Sequence, residues 1–333
     1  MSLKKLIVLL VFTGFLSSPA QASDCGRVTI SEMNWPSAEF LANLDKVILE
    51  EAFDCHVELV PGSTVTTFAS MESKGEPDIA PELWTNGVAE RLDAAVKKGD
   101  IYVGTKLIDG ASEGWFISMS MHEKHPDLKT VDDVLARPDL FPSKEDPSRG
   151  AFYGCPAGWG CQISNINLAK KTAYDFEGHQ FDQIDPGSGA ALAASIAKAY
   201  ERKEPWFGYY WQPTAVLYKY PMYKLDWGVP HDQKDWDECT SKNIDCPNPK
   251  KNGWTVSKVH TAVTAQFKKS NPVVMGYLDK RTYGMDTVGG VLAYMSDNQA
   301  NGEDAAFYFL NNYEKVWSKW LTPEQVKRVK KAL

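Results

Sequence analysis

Short apolar runs alternate with segments of helical period from residue 28 onward, and that alternation confines the chain to an α/β architecture. Val28-Thr29-Ile30 reads as a strand, residues 37–53 carry Phe40, Leu41, Leu44, Val47 and Ile48 at helical spacing, and Val57-Glu58-Leu59-Val60 reads as a second strand. Strands joined through a crossover helix pair in parallel, so this is the opening of a parallel sheet. The pattern continues with a helix over 64–73, a strand over 78–83 and a helix over 88–98; Trp115-Phe116-Ile117-Ser118-Met119 then predicts a strand leaving the unit. A second alternating set places helices over 131–136, 163–172 and 189–201 and a strand over 206–210. Tyr223-Lys224-Leu225 is expected to return to the first unit, and further helices are expected over 261–269 and 304–319.

A chain of 333 residues exceeds what one hydrophobic core usually organises. The expected fold is therefore α/β and two-lobed, with residues 23–115 and 226–333 in lobe 1, residues 116–225 in lobe 2, and a ligand cleft where the chain crosses between them.

Residues 1–22 join Lys4 and Lys5, an apolar run from Leu6 to Phe15, and Ala20-Gln21-Ala22. Those are the three parts of a secretory signal peptide, and the run is shorter than the roughly 20 residues that span a bilayer. Asp24, directly before Cys25, does not suit lipid attachment, so a soluble periplasmic protein is expected, as a monomer. The net charge of −7, deepened by loss of Lys4 and Lys5, argues against a nucleic-acid partner.

Six cysteines in an exported chain point to disulfides. The spacing offers close pairs at Cys155/Cys161 and Cys239/Cys246 and leaves Cys25 and Cys55 to each other, without settling the connectivity. Neither close pair has the C-x2-C spacing of a zinc site.

Catalytic signatures are missing: the sequence has no P-loop and no G-x-S-x-G, and His122-Glu123-Lys124-His125 is one residue short of H-E-x-x-H. Gly187-Ser188-Gly189 reads as the start of a helix, since it lacks the third glycine and the lysine of a phosphate cradle. The chain is expected not to be an enzyme and to need no cofactor. What stands out is eleven tryptophans, several at expected strand ends beside proline, glycine or acidic residues: Trp35, Trp84, Trp115, Trp159 and Trp211.

Strand ends in α/β lobes face the ligand crevice. A trimethylammonium group offers no hydrogen-bond donor, so a protein holds it by aromatic faces and shape, and tryptophan has the strongest face. Each desolvated indole contributes about 2 kcal/mol, so three or four approach the roughly 8 kcal/mol of micromolar binding before costs. The segment Cys155-Pro156-Ala157-Gly158-Trp159-Gly160-Cys161 is the most specific feature. A disulfide across it adds only about 2 kcal/mol by loop entropy, so its expected purpose is to hold Trp159 in place.

On these motifs, with Pro81-Glu82-Leu83-Trp84 and Tyr209-Tyr210-Trp211-Gln212-Pro213, the chain resembles the periplasmic substrate-binding proteins of osmoprotectant ABC transporters, over essentially all of its length after the signal peptide. The resemblance implies a type II periplasmic binding protein fold that closes over a quaternary ammonium ligand, with membrane subunits of a transporter as partners. It implies Trp84 as the first-lobe wall, Trp159 as the wall on the disulfide loop and Trp211 as the wall from the second lobe; Trp35 and Trp115 are further candidates by position. Betaine-binding members commonly place a histidine four residues after the first-lobe tryptophan to hold a carboxylate, and Val88 stands there instead. Glu113 beside Trp115 would repel a ligand carboxylate, yet could stabilise a choline cation or share a proton with an N-oxide oxygen. The sequence thus looks similar to the trimethylamine N-oxide-binding members, with glycine betaine, choline and dimethylsulfoniopropionate as alternatives.

The polar stretch from Asp226 to Asn252 carries Asp232, Asp235, Asp237 and Glu238, oxygen ligands enough for a structural calcium, without the EF-hand spacing. Two rival readings are a secreted enzyme acting on a methylated amine or sugar, with Glu82 and Glu113 as paired carboxylates, and an adhesive protein whose tryptophans only pack.

Overall fold

The structure is a computed structural model that describes residues 25–333, so the expected signal peptide at 1–22 lies outside the described residues. Four strands open the first lobe: β1 (Arg27–Met33), β2 (His56–Gly62), β3 (Ile79–Trp84) and β4 (Ile101–Ile108). The second lobe holds β5 (Ser112–Ser118), β6 (Gly150–Tyr153), β7 (Phe181–Ile184), β8 (Phe207–Gln212) and β9 (Met222–Lys224), and the chain re-enters the first sheet as β10 (Val259–Thr264). The sheet orders are β2-β1-β3-β10-β4 and β7-β6-β8-β5-β9.

The opening strand–helix–strand unit forms as its pattern dictates. The helix Pro36–Phe53 buries Phe40, Leu41, Leu44 and Ile48 against the sheet, and β1 pairs in parallel with β2 from Arg27↔His56 to Met33↔Gly62. Pro36 starts that helix at the position where a missing N–H costs nothing.

Three expectations are corrected. Residues 261–269 do not form one helix: Val259–Thr264 is a strand running antiparallel between β3 and β4, and the helix begins at Ala265, where the Thr264 hydroxyl caps Phe267 N. A short, fully buried apolar run has the same appearance in either state, and β-branched Val259, Thr261 and Val263 favour the strand. Tyr223 does not return to the first sheet, because β9 pairs antiparallel with β5 at the edge of the second. Residues 304–319 break into the helices Gly302–Asn312 and Glu314–Trp317 with a 3-10 turn after them. β4, β6 and β7 are further strands that periodicity alone did not indicate; β6 and β7 are four residues each, too short to show a period.

The polar stretch 226–252 packs against the second lobe. Asn167 Nδ2 donates to the carbonyls of Thr240 (2.9 Å) and Asn243 (2.7 Å), Tyr174 Oη donates to the Trp227 carbonyl (2.8 Å), and Trp236 and Trp254 join the second-lobe core. From there it touches the first lobe, with Trp236 Nε1 donating to the Asn86 carbonyl at 3.2 Å. The disulfides join Cys25 to Cys55, Cys155 to Cys161 and Cys239 to Cys246. Among the described residues no helix is long and apolar enough to cross a membrane.

The first-lobe core contains a fully buried ion pair, Arg281 to Asp45 at 3.0 Å, with Tyr277 Oη donating to Asp45 at 2.6 Å. Removing that donor by Tyr277→Phe leaves a buried carboxylate oxygen under-satisfied. It is expected to lower stability by about 2 kcal/mol in chemical denaturation, with ligand affinity unchanged.

Candidate functional site

The carboxyl ends of β1 and β3 supply the first-lobe side of a cavity, and the end of β8 with the Cys155–Cys161 loop supplies the other. Trp35 follows β1 in extended conformation, directly before Pro36. Trp84 ends β3, and strand alternation puts it on the same face as Glu82. Glu82, with no exposure, sits at the N–H edge of both rings: its Oε1 accepts from Trp35 Nε1 (2.9 Å), Trp84 Nε1 (2.8 Å) and Ser37 Oγ (2.9 Å). Burial pushes its carboxyl up to about 7, against those three hydrogen bonds and the nearby Arg281 charge.

In the second lobe, alternation along β8 places Tyr209 and Trp211 on one face, and Glu113 on β5 sits opposite Trp211. Glu113 accepts from Tyr209 Oη (2.8 Å) and Ser257 Oγ (2.9 Å), and burial raises its carboxyl above the usual range. Trp159 projects from the disulfide loop after Gly158, whose φ of +86° requires a residue without a side chain. Its ring edge meets Trp35 at 5.3 Å and 69° and Trp211 at 5.1 Å and 84°. The indoles thus stand nearly at right angles, as walls of a box.

The disulfide loop also brings the lobes together. Trp159 Nε1 donates to Asn34 Oδ1 (2.8 Å), Val65 N donates to the Gly158 carbonyl (3.2 Å), and Gly87 abuts Gly160 so closely that a Cβ on Gly87 would lie 2.8 Å from Gly160 Cα. Trp35, Trp84, Glu113, Trp159, Tyr209 and Trp211 line the cavity between the lobes, with Thr64 and the Gly87, Gly160 and Cys161 segments. Among the described residues no basic side chain lines it.

Of the residues singled out in the sequence, Trp115 is not brought to this cavity. It lies two residues further along β5 than Glu113, about 7 Å deeper, and packs inside the second lobe against Phe152, Tyr174, Phe176 and Trp227. Its Nε1 donates to Asn165 Oδ1 at 2.8 Å, the usual state of a core tryptophan. Val88 is buried among Phe68, Leu83 and Leu92, away from the cavity. Tyr209, Thr64 and the anchoring Asn34 escaped the sequence reading. Tyr209 was accessible by alternation from Trp211, whereas Thr64 and Asn34 reach the site only through lobe contact.

The acidic stretch does not converge on a metal site. Asp232 caps Asp235 N (3.0 Å), Asp235 accepts from Thr240 Oγ1 (3.1 Å), Asp237 accepts from Gln233 (2.9 Å), and Glu238 lies 4.0 Å from Lys234. Among the described residues no group of three or more His, Cys, Asp or Glu is placed to hold a metal ion. Ser188 accepts from Ala191 N (3.1 Å) and caps the helix Gly189–Arg202, the plain reading of Gly187-Ser188-Gly189.

Residues 26–312 match the family described as the substrate binding domain of ABC-type glycine betaine transport systems. Among solved structures, a choline-binding protein of an ABC transporter in complex with choline superposes with a TM-score of 0.72 at 18% identity, covering 92% of this chain and 98% of that one. A glycine betaine/L-proline-binding protein from Borrelia burgdorferi gives 0.70 at 16% identity, covering 91% and 99%. A lactococcal protein in its closed form with glycine betaine gives 0.65 at 17%, covering 89% and 100%. At these identities the likeness is one of fold, the two-lobed fold of periplasmic binding proteins.

Proposed function

Because the chain belongs to the family of substrate-binding domains of ABC-type glycine betaine transport systems, we propose that its tryptophan-walled cavity captures a small methylated ammonium osmolyte, trimethylamine N-oxide before glycine betaine or choline. The family provides transport components, not catalysts, and works outside the cytoplasm; we place this member in the periplasm as a monomer that delivers its ligand to the transporter's membrane subunits. Trp35, Trp84, Trp159 and Trp211 would enclose the methyl groups, and Glu113 would face the ligand's polar end.

One observation carries the preference: among the described residues the cavity lining offers a carboxylate and hydroxyls but no basic group. A betaine carboxylate would enter beside Glu113, on which the nearby Lys224 charge already acts, with no basic side chain in the lining to meet it, whereas an N-oxide oxygen can share a proton with Glu113, whose carboxyl burial raises above the usual range. Binding would shift the lobes from an open form to the closed one, since the walls come from both lobes.

Calorimetric titration with trimethylamine N-oxide, glycine betaine and choline tests this. Trimethylamine N-oxide is expected to bind at least about tenfold more tightly than glycine betaine, and Glu113→Ala to weaken it about tenfold. Tighter binding of glycine betaine would overturn the preference, and no heat with any of the three would overturn the function.

A further inference from the structure

Glu82 does not line the cavity, yet it holds two of the walls through one oxygen. Pinning an indole needs only a neutral acceptor, and elsewhere this chain uses one: Asn165 Oδ1 for Trp115, Asn34 Oδ1 for Trp159, Ser195 Oγ for Trp206, and main-chain carbonyls for Trp236 and Trp317. A fully buried carboxyl in the same office costs desolvation that an amide would not. Its second oxygen, Oε2, is buried with no hydrogen-bond partner among the described residues, so local hydrogen bonding does not account for the choice. Trp254 also turns toward a carboxylate, and that one, Glu113, lines the same cavity. Arg281 is near enough to act on Glu82, but it is already paired with Asp45.

A charge at this place is useful to a cation. An N–H that donates to an anion leaves its ring richer in electrons, which strengthens the attraction of the indole face for a positive group. The negative charge also acts directly on a cation held in the cavity beside it. We propose that Glu82 is a positioning residue whose negative charge, acting through the Trp35 and Trp84 rings, makes the cavity select a ligand whose methylated centre carries a positive charge over one of the same shape whose centre is uncharged. This rests on the reading of the cavity as an ammonium site and adds the residue that sets its charge preference.

A pH dependence follows. The charged and titratable groups around Glu82 are Arg281 and Tyr283, with Asp45 and Tyr277 behind them, and Glu113 on the facing lobe. Burial holds Glu82 at about 7 in the empty site. A bound cation favours the ionised form, so cation affinity is lost as pH falls through 7, and a neutral ligand does not show that loss.

The test compares tetramethylammonium with tert-butanol, similar in size and different in charge, on the exported chain and on Glu82→Gln, which keeps an acceptor for both indoles. Affinities are read by calorimetry, with the alcohol measured by competition. At pH 8 the preference for the cation is expected to fall about tenfold in Glu82→Gln, with alcohol affinity unchanged. Between pH 8 and pH 6 the unaltered protein is expected to lose about tenfold in cation affinity, and Glu82→Gln to keep only what Glu113 contributes. A preference and pH profile unchanged by the substitution overturn the inference. Should Glu82→Gln not fold, Ser37→Ala removes one donor from Oε1 and leaves charge and rings in place: the pH midpoint is expected to move upward, and an unmoved midpoint overturns the inference. Failure of the unaltered protein to bind any ammonium compound would instead sink the function on which it rests.

Discussion

Gly87→Val is expected to weaken ligand binding by about a thousandfold while both lobes remain folded. The three atoms nearest to a Cβ at Gly87 all belong to Gly160, with Cα at 2.8 Å, a separation that real Cβ atoms do not tolerate. Gly160 is fixed at the start of a helix and beside the Cys155–Cys161 bridge, so it has little freedom to retreat. Gly87 itself is outside the left-handed region, so valine introduces no backbone strain in a separated lobe. The substitution thus acts against closure alone. A ligand held only by the rings of one lobe loses two walls, about 4 kcal/mol at about 2 kcal/mol each, which is the thousandfold. Calorimetry reads the affinity, and small-angle scattering should show ligand-induced compaction in the unaltered protein and none in the variant. Unchanged affinity would mean that the lobes need not approach this closely for binding.

Trp159→Ala is expected to weaken binding about a hundredfold. The ring stands edge-on to Trp35 and to Trp211, so its removal opens the box on the side where the two lobes' walls meet. Asn34 Oδ1 loses its donor as well, and with it one bond that joins the lobes. A cation–π wall of about 2 kcal/mol plus a hydrogen bond of about 1 kcal/mol gives that factor. Trp159→Phe, which keeps a face and lacks the N–H, is expected to fall between the two. The thermal midpoint of the ligand-free chain should move little, because the loop is tied by its disulfide and by the backbone bond from Val65 to Gly158. Wild-type affinity in Trp159→Ala would return this tryptophan to a packing role.

Much of the fold was legible in local pattern. Helical period over 37–53 and β-branched runs on either side announced a parallel unit, and that unit forms in full register. Legibility failed where a segment is buried on both sides or too short to show a period, as in β10, β6 and β7. The cavity walls were marked by tryptophans at strand ends, and the cysteine spacing marked the loop that presents one of them. Trp115 had the same local marks as the others, yet its depth along β5 sends it to the core, because two residues of rise separate a strand's mouth from its middle.

Periodicity, cysteine spacing and residue chemistry are local properties, and they were enough to indicate two α/β lobes, close cysteine pairs and a set of indoles suited to methylated ammonium groups. Which indoles share one cavity, that Glu82 anchors two of them, and that Gly87 meets Gly160 came from packing. Those are distances between segments far apart in the chain, set by how two lobes pack and not by any residue's neighbours in sequence.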